Sequence, residues 1–151
     1  MEKENKSSPI HIMVVEPRGT GGMIHYAYQL CTALSNAGAV VTLVTSSVYE
    51  LDDMSHNFNL RKQMRLWSTI ESQNIETGFG VVGSVAQAIF RKVRRIIRGI
   101  RLIFEWIRLV IFLTKAKPDI VQFGKIEFAF EAFFLSILKN RGLTLLFQPS
   151  L

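Results

Sequence analysis

The run Ile10 to Val15, apolar except for His11, leads directly into Glu16-Pro17-Arg18-Gly19-Thr20-Gly21-Gly22, and from Met23 onward apolar residues recur every three or four positions. A buried strand that enters a glycine turn and leaves it as a helix is compatible with few folds. The helix is expected from about Met23 to Asn36, with Ile24, Ala27, Cys31 and Leu34 on one face and Gly38 as its C-terminal stop. Val40 to Thr45, β-branched and nearly all apolar, reads as the second strand. Strand, glycine turn, helix and strand in this order define a βαβ unit, whose strands are parallel and whose crossover is right-handed. The expected class is therefore α/β, a Rossmann-like parallel sheet flanked by helices.

The turn also has a chemistry. Gly21 and Gly22 let the backbone bend sharply and let a ligand approach it, while the helix that follows presents unpaired N–H groups and the positive end of its dipole. Arg18 would add charge-assisted hydrogen bonds, so Arg18, Gly19, Gly21 and Gly22 form a candidate anion loop. Glycine serves strand-to-helix packing equally well, and the residues alone leave both roles open. Two nucleotide signatures are missing. The stretch Gly19 to Ile24 lacks the third glycine or alanine of G-x-G-x-x-G, and no Walker lysine follows it. The second strand ends in Thr45-Ser46-Ser47, where a dinucleotide site would want an acid for the ribose. His11, His25 and His56 are scattered without ligand-spaced partners, so neither a metal nor another cofactor is expected. The single cysteine, Cys31, reads as a small core residue.

Charge is distributed unevenly. The segment Ser84 to Lys115 holds eight basic residues and one acid, a local balance of +7 in a chain whose net charge is +6. Basic charge gathered in one segment, rather than spread over a folded face, argues against nucleic acid as the partner. As one helix the segment would be about 48 Å long. Its polar positions step by three and four (91, 94, 98, 101, 105, 108) and most of the remaining circumference is apolar. The charge-free run Leu109 to Thr114 is far too short to span a bilayer. Two placements fit. The helix lies in a membrane interface with Arg91, Arg94, Arg95, Arg98, Arg101 and Arg108 toward anionic lipid and Trp106 beneath them, or its apolar face packs on the sheet.

The remaining elements follow by the same rules. Residues 1–9 are a polar lead-in expected to be disordered, and residues 10–151 form one domain. With no apolar signal segment at its start, the chain is expected in the cytoplasm, peripheral to the inner face of the membrane. Residues 46–83 read as surface and mobile, with Phe58 to Ile70 either a strand or a short helix. Lys117-Pro118 ends the long helix, Asp119 to Phe123 is a third strand, Ile126 to Asn140 a helix and Leu143 to Phe147 a fourth strand.

Residues 10–51, Pro118-Asp119-Ile120-Val121 and the passage to LLFQPSL resemble the N-terminal domain of family-4 retaining GT-B glycosyltransferases. The resemblance implies that Arg18, Gly19, Gly21 and Gly22 lie beside a nucleotide-sugar diphosphate. It puts Gln122, Gly124, Lys125 and Gln148 on the side of a saccharide acceptor, lipid-linked or from the cell envelope. It further implies a C-terminal donor domain, here absent or on a separate chain, without which transfer would not occur. Histidines that the family carries at the exits of the third and fourth strands are replaced by the stretch Val121-Gln122-Phe123-Gly124 and by Gln148, so no catalytic residue is assigned. The competing expectation is a non-enzymatic membrane-docking module.

Overall fold

The computed structural model describes residues 8–64, 84–124 and 129–147; before residue 99 of the long helix, only the side chains of 92, 93, 96 and 97 are described. The elements are β1 (His11–Glu16), α1 (Gly22–Asn36), β2 (Val40–Ser46), β3 (Asn59–Met64), α2 (Ser84–Ala116), β4 (Ile120–Phe123), α3 (Ala129–Asn140) and β5 (Thr144–Phe147). The strands form a five-stranded parallel sheet in the order β3-β2-β1-β4-β5. This is the Rossmann-like α/β class that the βαβ reading predicts.

β1 is the centre of the sheet. It pairs with β2 in the register His11↔Val40 to Glu16↔Thr45 and with β4 from Ile12↔Ile120 to Val15↔Phe123. Covered on both faces, it reads as a continuous apolar run rather than an alternating one. Ile12 and Val14 join Ile24, Ala27 and Cys31 of α1 on one face. Met13 and Val15 join Trp106, Leu109 and Leu113 of α2 and Phe134, Leu135 and Leu138 of α3 on the other. The chain thus leaves β1 toward one side of the sheet and returns through β4 on the other. At the opposite end of the strand, His11 donates its N–H to Asp119 Oδ2 at 2.8 Å and accepts the Asp119 N–H at 2.9 Å, which ties the start of β1 to the turn before β4.

Three expectations change. The stretch left open between strand and helix is strand β3 over Asn59–Met64; residues 65–70 of it lie outside the described residues. Met64 is buried while Arg61 and Lys62 are exposed, the charged profile that keeps an edge strand from pairing with another chain. The loop from β2 to β3, expected to be mobile, is pinned to α1. Tyr28 Oη donates to the Ser55 carbonyl at 2.7 Å and Ser35 Oγ to the Asn57 carbonyl at 2.6 Å, while His56 packs edge-on against Tyr28 and Phe58. The third change concerns Trp106. It is buried, stacked against Phe123 at 6.0 Å and Phe134 at 5.7 Å, so it faces the sheet and not a bilayer.

Candidate functional site

In a parallel sheet of this order the strand sequence reverses between β1 and β4, and the crevice outside their carboxyl ends is where open α/β sheets hold ligands. Glu16, the last residue of β1, follows Ile12 and Val14 on the α1 side and is buried. Its Oε1 accepts the Arg18 N–H at 3.1 Å. Gly124, just past β4, donates its N–H to the Val15 carbonyl at 3.1 Å. A Cβ at Gly124 would collide with Glu16 Oε2, so the missing side chain is what gives the carboxylate its place. Thr45, in register with Glu16 on β2, is fully buried, and its hydroxyl has no hydrogen-bond partner among the described residues. A crevice of about 10 Å³, the room that one water needs, is lined by Val14, Glu16, Tyr26, Ala27, Gln122 and Gly124 among others. A pocket that encloses a small organic ligand measures about 300–1,000 Å³, so the described residues do not enclose one here.

The glycine turn next to it is held by the chain's own groups. Gly21, with φ 87°, is the N-cap of α1, a backbone angle that a side chain would strain. Its N–H donates to Glu50 Oε1 at 3.1 Å, and the same oxygen lies 2.7 Å from His25 Nε2. The Glu50 N–H in turn donates to the Gly19 carbonyl at 3.0 Å. A Cβ on Gly19 would sit 1.6 Å from the Val48 carbonyl oxygen, so Gly19 is required for the loop after β2 to cross the turn. A carboxylate is therefore already at the helix N-terminus, and Glu16 stands behind the turn. Any anion entering here must displace Glu50 from the Gly21 N–H.

Of the residues singled out from sequence, Arg18, Gly19, Gly21, Gly22, Gln122 and Gly124 converge on this carboxyl edge. Lys125 and Gln148 lie outside the described residues, as do the side chains of Arg91, Arg94, Arg95 and Arg98. Arg101 and Arg108 are exposed on α2. Sequence reasoning missed Glu16 and Glu50. Glu16 carried a signal, an acid closing a buried strand; Glu50 carried none, because it meets Gly21 only through the fold of the intervening loop. Among the described residues no three His, Cys, Asp or Glu side chains converge on a metal-sized site, and no helix is long and apolar enough to cross a membrane.

No family model and no curated protein matches the chain. Among solved structures it is similar to the C-terminal domain of a hydrogenase from Pyrococcus furiosus, with a TM-score of 0.54 and 12% identity over 93% of this chain and 92% of that one. The two share a fold. At that identity the likeness extends no further. The glycosyltransferase resemblance is thereby overturned: the solved structure to which the chain is similar here is a hydrogenase domain, and no family match or curated relative names a glycosyltransferase. Sugar transfer and its alternative, a membrane-docking module, are withdrawn with it. The short motifs that suggested the family, strand, glycine pair and leucine-rich helix, belong to the βαβ unit itself.

Proposed function

We propose that the chain is a ligand-binding α/β domain whose crevice between β1 and β4 receives an uncharged, hydroxyl-rich small molecule, with the facing wall supplied by another domain or chain. The observation that carries this reading is the buried Glu16 carboxylate at the strand reversal, beside Gly124. A carboxylate offers acceptor lone pairs only, so hydroxyl groups can donate to it. Gln122 adds both a donor and an acceptor, and Tyr26 a partly exposed ring over which the apolar face of a polyol can lie. With one wall only, affinity is expected in the millimolar range.

The test is an amide chemical-shift titration with myo-inositol, a simple pyranose and ADP. The polyols are expected to shift Val15, Glu16 and Gly124, and Glu16→Gln to weaken them about tenfold while the fold persists. ADP binding more tightly than both polyols, or polyol shifts clustered away from the carboxyl edge, would overturn the reading.

A further inference from the structure

Helix α2 has a second face that the described residues leave uncovered. Leu102, Trp106, Leu109 and Leu113 pack toward the sheet. On the outward side Val93, Ile97, Ile100, Phe104, Ile107 and Ile111 follow one another in alternating steps of four and three, and each is 40–61% exposed. That alternation is a heptad seam, the repeat by which one helix lies along another, and it runs for about 27 Å. A contiguous apolar stripe of this length marks an interaction surface.

The flanks of the seam differ. On one side Arg101, Arg108 and Lys115 stand one heptad apart, all exposed, Arg108 with Glu105 3.6 Å from it. Beyond them an open groove lined by Phe112 and Arg108 leads to Leu60, Arg61 and Lys62 of β3, where Arg61 adds a cation on the same side and Lys62 is paired with Asp52 at 2.6 Å. The other flank, Ile96 and Ile103, is apolar. We propose that this seam docks an amphipathic helix of a partner protein, one with its own apolar heptad stripe and acidic residues along the edge that meets Arg101, Arg108 and Lys115.

Charge and geometry select this occupant over the alternatives. A second copy of the chain packed antiparallel would set the cation row against itself. Packed parallel, it would press the same row on Ile103 and Val110, leaving charges without partners. A helix lying on lipid gains from cations on both flanks of its apolar face, whereas among the described residues of α2 the heptad-spaced cations Arg101, Arg108 and Lys115 stand on one flank. An acidic-edged helix fills the seam and meets the cations on the side where they stand.

Fluorescence anisotropy of two synthetic peptides of about four heptads tests the proposal on the 151-residue chain. Both carry leucine at the seam positions; one has glutamate and the other lysine on both flanks. The glutamate peptide is expected to bind at least about tenfold more tightly, a difference that shrinks with salt. The triple substitution Arg101→Glu, Arg108→Glu and Lys115→Glu should reverse the preference, and Ile100→Asp with Phe104→Asp should abolish binding of both peptides while circular dichroism stays that of the wild type. Sedimentation with phosphatidylcholine vesicles, with and without phosphatidylserine, and light scattering of the protein alone complete the test. Equal binding of the two peptides, a preference that survives charge reversal, binding to vesicles in place of peptide, or dimerisation of the protein by itself would each overturn the proposal.

Discussion

Cys31 has no exposed surface, and burial pushes its thiol from an ordinary value near 9.0 up to about 12. Tyr49, in the same apolar cluster, is likewise pushed up to about 12, mainly by burial. Both groups are neutral when protonated, so between their unfolded and folded values the unfolded chain releases protons that the folded chain keeps. Stability from this source is complete below about pH 9 and falls as pH rises through 9 to 12. Urea unfolding at pH 8, 9.5 and 11 should show a loss approaching about 1.4 kcal/mol per pH unit for each titrating group. Cys31→Ala should flatten the part that begins near pH 9; an unchanged slope would show that the thiol is not its source. Two glycines make a second prediction at this scale. Gly19→Ala drives a Cβ into the Val48 backbone, which cannot yield, whereas Gly124→Ala meets the end of the Glu16 side chain, which can rotate. Gly19→Ala is therefore expected to cost about 3 kcal/mol or more and Gly124→Ala about 1–2, the latter with loss of the carboxylate's position. Chemical denaturation of both variants checks the order.

At the scale of elements, α2 separates what sequence can and cannot show. Its charged positions step at helical spacing, and Lys117-Pro118 follows its last residue, Ala116. Which apolar residue faces the sheet was not legible, because the helix is apolar over most of its circumference and periodicity has no contrast to report. Trp106 and Phe104 lie two residues apart and meet opposite surroundings, one buried between Phe123 and Phe134, the other 61% exposed. Trp106→Ala is expected to cost about 3–5 kcal/mol, and Phe104→Ala less than about 1. Equal losses in thermal or urea unfolding would mean that the helix is rotated about its axis. The unit β1, α1 and β2 was legible in full because a buried parallel strand leaves an unbroken apolar run and a helix leaves its three-and-four spacing. Strand β3 was not, since one face of an edge strand is solvated and its exposed lysine and arginine resemble those of a surface helix. In the site, the turn, Gly124 and the acid that closes β1 all left a local signal, but Glu50 left none. Glu50 reaches Gly21 across 29 positions, and no local pattern encodes that meeting.

For the whole molecule, connectivity and burial together rank the strands by stability. β1 is bonded on both sides and buried on both faces, while β2 and β4 each have two strand neighbours and one or more fully buried residues facing α1 or α2. β3 and β5 are edges, and every described residue of β5 is exposed or only partly buried. Opening an edge strand breaks one ladder; opening β1 breaks two and exposes both hydrophobic clusters, which is the unfolding of the molecule. The pairing Ile12↔Ile120 also joins residues more than a hundred positions apart, so it forms only after a long loop closes and holds only while α2 is docked. Native-state hydrogen exchange should therefore find the amides of Met13, Val14 and Val15, with their partners in β2 and β4, exchanging only through global unfolding. Those of Leu145 and Leu146 should exchange through openings at least about 2 kcal/mol less costly. Trp106→Ala should lower the protection of β4 and of β1 together, because its ring covers Phe123 at the join between them. If β5 proved as protected as β1, the β5 edge would not be free in solution, and something beyond the described residues would cover it.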